Sequence, residues 1–180
     1  MKFTPSPTLP DIVVIEPQVF QDGRGFFTEM YHREKFVKGG IADTFVQDNR
    51  SRSCRGTLRG LHYQIRKPQA KLVWVLQGEI FDVAVDIRRN SPTFGRWASI
   101  VLSDREKKGV YIPPEFAHGF YVLSEEAEVF YKCSDLYAPG FDRGIRWDDP
   151  DLSIPWPTLD PILSEKDRSS PFLREAELPE

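Results

Sequence analysis

The sequence predicts an all-β fold of the sandwich or barrel kind, and three observations predict it. Apolar residues recur with period two in several short runs. Fifteen prolines and twelve glycines punctuate those runs at short intervals. Helical patterning is scarce, so alternating β and α units are not indicated.

The elements follow in chain order. The segments "DIVVIEP" (11–17), "DTFVQDNRS" (43–51) and "GTLRGLHYQ" (56–64) read as strands. "KLVWVL" (71–76) is a β-branched and aromatic run. After it, Phe81, Val83, Val85 and Ile87 alternate with Asp82, Ala84, Asp86 and Arg88, a strand with one buried face. "QGE" turns between the two, which predicts a hairpin over roughly 71–88. "GRWASIVL" (95–102), "GVYIP" (109–113), "HGFYVLS" (118–124) and "AEVFYKCSD" (127–135) complete the set of strands. "YHREKFVKGG" (31–40) is a short helix stopped by two glycines, and "SEKDRSS" (164–170) forms one turn. The tail "PFLREAELPE" (171–180) is polar and reads as loose. No repeat or linker divides the chain, so a single domain over 1–180 is expected.

The totals narrow the function classes. The chain has 180 residues, 40% of them hydrophobic, enough for one real core. A net charge of −3 offers no global field for nucleic acid or an anionic membrane, and neither partner is expected. The longest apolar run near the N-terminus, Ile12 to Ile15, is too short for a membrane span or signal core. Cys54 and Cys133 form no CxxC pair and read as reduced thiols of a cytoplasmic protein.

Two stretches are similar to the paired motifs of the cupin superfamily, small jelly-roll barrels. Gly56 is followed by five residues and then His62; Gln64 stands where the second histidine of that motif falls. Lys71, separated from Gly78 by six residues, stands where the motif has a carboxylate, and Pro113 leads His118 in the second motif. The four ligand positions are therefore His62, Gln64, Lys71 and His118. A divalent cation needs imidazoles, carboxylates or thiolates, and an ammonium repels it. No metal is expected. Lys71 then stands where the metal's charge would be, suited to a developing oxyanion. Taken singly these residues have plainer readings: His62 as a core or rim histidine, Lys71 as solvent-facing, Tyr131 as core, and Ser164 with Asp167 as a capping box.

In combination the chain resembles the dTDP-4-dehydrorhamnose 3,5-epimerase family. "DGRGFFTE", "QDNRS", "LRGLHYQ", "VWVLQGEIFDVAVDIR", "IPPEFAHGF", "YKCSDLYAP", "RGIRWDDPDL" and "LSEKD" stand in the family's order over about 10–170. The resemblance implies a cupin-type jelly roll that needs no cofactor. It implies conversion of dTDP-4-dehydro-6-deoxy-D-glucose to dTDP-4-dehydro-L-rhamnose, for L-rhamnose supply. By it, His62 is the general base, Asp167 its orienting carboxylate, Tyr131 the general acid and Lys71 the residue at the C4 oxygen. Arg24, Glu29, Gln47, Asn49, Arg59, His118, Asp142 and Lys166 fall on substrate-contact positions. Position 142 is Asp where the family often has Glu. The resemblance further implies a homodimer whose N-terminal strands cross between subunits, with Arg24 and Glu29 serving the partner's pocket.

The chemistry suits these residue types. Protons at C3 and C5 flank the C4 ketone and are axial on one face of a D-gluco chair, so one base reaches both. Inversion then requires an acid across the ring. Imidazole, with an ordinary pKa of about 6.5, suits the first role at neutral pH, and a phenol near 10 stays protonated for the second. Strict alternation puts Arg59 and His62 on opposite strand faces, so an irregularity is expected at 59–61, with Gly60 as its host. The alternatives are a mono-epimerase or 3,4-ketoisomerase on a related dTDP-4-keto sugar, a metal-dependent cupin enzyme, and a catalytically inactive binding module.

Overall fold

The computed structural model describes residues 1–179. In chain order the strands are β1 (Lys2–Pro5), β2 (Val13–Glu16), β3 (Val19–Asp22), β4 (Gly25–Thr28), then helix α1 (Arg33–Lys38). There follow β5 (Gln47–Cys54), β6 (Leu58–Gln64), β7 (Lys71–Gln77), β8 (Glu79–Asp86), β9 (Trp97–Ser103), β10 (Gly109–Ile112), β11 (Phe116–Val122), β12 (Glu126–Cys133), β13 (Asp142–Gly144) and helix α2 (Glu165–Ser169). One sheet has the order β1-β2-β10-β7-β12-β5, the other β13-β6-β11-β8-β9, and β3-β4 form a separate ribbon. All the pairings between these strands are antiparallel. This is the jelly-roll sandwich the sequence predicts. Every internal strand reading has a counterpart; β1, the β3-β4 ribbon and β13 were not foreseen, being short, the ribbon exposed and the other two only partly buried.

The inner core lies between the sheets. Val73 and Val75 of β7, Val129 of β12, Ile80 and Ala84 of β8, and Phe116 and Phe120 of β11 meet there. Each fully buried Val, Ile or Phe contributes about 1.5–3 kcal/mol. A second core lies on the outer face of the smaller sheet, where Leu61, Tyr63, Val83, Val85 and Ile87 pack against Trp156, Leu173 and Leu178.

That second core corrects two expectations. β8 is buried on both faces: the C-terminal third of the chain covers Phe81, Val83, Val85 and Ile87, and the side read as solvent-facing, with Asp82 and Ala84, turns into the interior between the sheets. Its acidic residues are buried with partners: Asp86 accepts from Arg88, Ser91 and Thr93, and Asp82 pairs with His118. The tail from 171 is docked rather than loose. Leu173, Ala176 and Leu178 are buried, Leu173 N–H donates to Asp149 (2.6 Å), and Tyr63 donates to the Glu177 carbonyl (2.8 Å). Three small apolar residues among charged ones suffice to anchor it, which average polarity conceals.

The expected 71–88 hairpin is also corrected. β7 pairs with β10 and β12, whereas β8 pairs with β11 and β9, so the chain crosses from one sheet to the other at Gly78. Gly78 has φ +81°, and a Cβ there would lie 2.1 Å from the Glu126 carbonyl oxygen. A glycine turn between two alternating runs fits a hairpin and a sheet-to-sheet corner equally well.

The irregularity in β6 is present. His118 of β11 faces His62, but Phe120 faces Arg59, so three steps on β6 match two on β11. Gly60 has φ +124°, and its added Cβ would meet Gly119 Cα at 2.5 Å. The two glycines let the strands close over the bulge.

Candidate active site

The bulge decides which β6 side chains face inward. Leu61 and Tyr63 join the outer core, which turns His62 and Gln64 toward the interior. The extra residue lets Arg59 lean toward the opposite sheet, where its Nε donates to Ser53 (2.9 Å). Arg59 itself remains exposed at the strand end and does not line the cavity.

A cavity of about 310 Å³ opens between β5-β12-β7 and β6-β13. His62, Lys71 and Tyr131 line it, as do Gln47, Asn49, Asp142 and Lys166. The spacing-by-two reading of Gln47 and Asn49 holds; both face inward on β5, and Gln47 donates to Asn49 (3.0 Å). Gln64, read from the sequence as a former ligand position, also lines it, as do Gln69, Cys133 and Tyr137, which the sequence did not single out. Gln64 holds the loop that carries Tyr137, donating to the Lys67 carbonyl and accepting from Ala138 N–H, both at 2.8 Å. The Tyr137 hydroxyl donates to Asp142 (2.9 Å), and its N–H donates to Gln47 (2.8 Å). Two alternating polar residues could have signalled Gln47 and Asn49; nothing local distinguishes Tyr137 from a loop tyrosine.

His62 Nε2 lies 2.5 Å from Asp167 Oδ1, although 105 residues separate them. The local sequence of α2 makes this possible. Ser164 caps the helix by accepting from Asp167 N–H (3.1 Å), so the capping-box reading is half right. The Asp167 carboxylate does not return the bond to the cap but turns to the imidazole. Burial pushes the Asp167 carboxyl up, yet the His62 bond and charge, the Ser164 cap and Lys166 hold it below the ordinary carboxylate range. With Nε2 engaged, Nδ1 is the nitrogen available as a base.

Burial lowers the Lys71 ammonium below the ordinary lysine value, opposed by Cys133, Asp142 and Asp82. It has no ion-pair partner among the described residues. Burial raises the Tyr131 phenol, so it stays a donor at neutral pH. Lys166 pairs with the Asp142 carboxylate.

Besides Arg59, three expected contact residues stand outside the cavity lining. His118 is buried beside His62 on the neighbouring strand but gives Nε2 to Asp82 (2.8 Å) and does not line the cavity. Asp82 itself lines a second cavity of about 370 Å³ at the other end of the interior. Arg24 sits on the β3-β4 ribbon, paired with Asp22 and 91% exposed, and Glu29 binds Lys35 (2.6 Å). Neither reaches this chain's own cavity.

The donor set does not fit a divalent cation. Gln64 is spent on backbone groups, His62 and His118 each hold a carboxylate, and Lys71 is a cation. Among the described residues no group of three or more His, Cys, Asp or Glu could hold a metal.

A jelly roll with a His–Asp pair, a half-buried ammonium and a phenol around one cavity defines a class: a cupin-type carbohydrate isomerase. The family profile described as dTDP-4-dehydrorhamnose 3,5-epimerase matches residues 6–175. The chain belongs to the dTDP-4-dehydrorhamnose 3,5-epimerase family. It is 54% identical over 171 residues to the Pseudomonas aeruginosa dTDP-4-dehydrorhamnose 3,5-epimerase, covering 94% of each chain. The crystal structure of the Legionella pneumophila dTDP-6-deoxy-D-glucose-3,5-epimerase with dTDP-4-keto-L-rhamnose superposes with a TM-score of 0.95 at 46% identity, covering 99% of this chain and 97% of that one. A Streptomyces niveus dTDP-4-dehydrorhamnose 3-epimerase is 40% identical over 164 residues, covering 90% of this chain and 79% of that relative.

Proposed function

We propose that this chain, acting as one domain, epimerises dTDP-4-dehydro-6-deoxy-D-glucose at C3 and C5 to dTDP-4-dehydro-L-rhamnose. The observation that carries the reading is the convergence of His62, Lys71 and Tyr131 on one cavity, with buried Asp167 bonded to His62, from four separate elements. His62 takes the proton from C5, and the C–H electron pair moves through the ring carbon onto the C4 oxygen. Lys71 stabilises that enolate oxygen by charge. Tyr131 then returns a proton to the carbon from the opposite face, and the C4 carbonyl re-forms. The same cycle at C3 inverts the second centre after both groups exchange protons with water. Asp167 fixes the imidazole tautomer and stabilises imidazolium. Gln47, Asn49, Asp142 and Lys166 contact the substrate from the cavity mouth, and Arg59 takes the pyrophosphate. His118, bonded to Asp82 outside the cavity, makes no substrate contact in this reading. No step calls for a metal or organic cofactor.

The working unit is a homodimer in this reading. The β3-β4 ribbon exposes Phe20, Phe26 and Phe27 and pairs with no other strand among the described residues. An isolated two-stranded ribbon is marginal in water, so a partner subunit covers it. Arg24 and Glu29 then reach the partner's cavity. The free thiols of Cys54 and Cys133 support a reducing, cytoplasmic setting. No helix among the described residues is long and apolar enough to cross a membrane, and a net charge of −3 supports neither membrane nor nucleic acid as a partner.

Proton NMR in heavy water tests the reaction. Deuterium is expected at both C3 and C5, and His62→Ala should abolish both exchanges. Washout at one carbon only would make the protein a mono-epimerase. Migration of the keto group to C3 would make it a ketoisomerase.

A further inference from the structure

Strand β5 turns four polar side chains inward, Gln47, Asn49, Ser51 and Ser53, while Asp48, Arg50, Arg52 and Cys54 face out. Three of the four are engaged. Gln47 bonds Asn49 and Tyr137, Asn49 donates to Cys133 Sγ (3.5 Å), and Ser53 accepts from Arg59. Ser51 differs: its Oγ is shut from solvent and has no hydrogen-bond partner. A buried unpaired hydroxyl is unfavourable, and an alanine would avoid that cost. The position therefore holds a donor whose acceptor arrives from outside the chain.

The strand register says which part of the sugar nucleotide that acceptor is. On β12, Cys133 lies opposite Gln47, Tyr131 opposite Asn49 and Val129 opposite Ser51; on β7, Lys71 lies opposite Cys133. The Tyr131 row thus has Lys71 one inward step to one side and Ser51 one step, about 6.8 Å, to the other. Arg59 marks the Ser51 side, since it is tied to Ser53 and its charge acts on Tyr131. With the C4 oxygen at Lys71, C1 stands across the pyranose ring from it and points toward Ser51 and Arg59. C1 carries the phosphate.

We propose that Ser51 donates its hydroxyl hydrogen to a non-bridging oxygen of the C1 phosphate, beside the Arg59 guanidinium, and so holds the glycosyl-phosphate end of the substrate. This rests on the reading above that places the C4 oxygen at Lys71. Hydrogen bonds to charged groups are the stronger kind, so their loss is measurable.

The test uses thymidine diphosphate and thymidine as calorimetric probes of the full-length protein. Ser51→Ala should weaken thymidine diphosphate binding about ten- to a hundredfold and raise the substrate KM in parallel. It should leave thymidine binding as it was. The melting temperature of the free protein should stay or rise, because an unpaired buried hydroxyl is removed. Ser51→Thr, which keeps the hydroxyl in a residue suited to strands, should restore the affinity. Unchanged diphosphate affinity in Ser51→Ala overturns the proposal, and so does equal weakening of both probes. A lower melting temperature with unaltered affinity assigns the hydroxyl to structure instead. Diphosphate affinity does not depend on turnover, so failure of the epimerisation reading would show separately, in the wild-type isotope exchange.

Discussion

At the scale of single residues, charge and burial at Lys71 decide most. The ammonium stands in a cavity wall with no carboxylate paired to it, and burial lowers its pKa. The folded protein therefore releases this proton more readily than the unfolded chain does. Lys71 thus weakens stability at neutral pH, and the penalty fades as pH rises through the lowered value toward the ordinary one near 10.4. Lys71→Met should accordingly hold or raise the melting temperature at pH 7. Its kcat should fall at least about a hundredfold, the cost of losing an oxyanion donor. In the wild type the alkaline limb of kcat should fall below the ordinary lysine range, because Tyr131 is shifted the other way. An alkaline limb that persists unchanged in Lys71→Met would assign it to another group.

At the scale of elements, short pieces of structure hold the site in place. Helix α2 has only five residues, and its start depends on Ser164. Ser164→Ala should cost about 1 kcal/mol in denaturant unfolding. It should also lower kcat, since Asp167 is aimed from that first turn; a loss of stability with unchanged kcat would separate cap from catalysis. Gly78 serves the sheet-to-sheet corner. Gly78→Ala places a Cβ against the Glu126 carbonyl and a residue at positive φ, so it should destabilise by well over about 1 kcal/mol, read from the urea midpoint. A wild-type midpoint would show that the corner relaxes.

At the scale of the whole molecule, the C-terminal segment and the β3-β4 ribbon set what the chain can do alone. Ending the chain after Ser170 uncovers the outer core at Trp156 and Tyr63 and removes buried Leu173 and Leu178. Each lost leucine is worth about 2–5 kcal/mol, so this truncation should unfold at markedly lower urea. An unchanged midpoint would mean that the tail adds nothing to the core. Phe27→Asp, on the exposed ribbon, should shift the species in sedimentation toward monomer and reduce activity with it. Persistence of a dimer would place the interface elsewhere.

The sequence by itself determined the fold class, nearly every internal strand, both helices and part of the cavity lining. Alternation, turn glycines, caps and motif spacings are local properties, written in neighbouring residues. It also foretold the bulge at Gly60, because two inward-facing roles, Arg59 and His62, could not both be met by a regular strand. Only the tertiary structure decided that residues 71–88 span two sheets, that β8 is buried on both sides, and that the tail is docked. The same holds for His118, which bonds Asp82 outside the main cavity, and for the unpaired hydroxyl of Ser51. Each depends on which distant strand or segment arrives to cover a face, and that choice is made by the whole core at once rather than by any short run of residues.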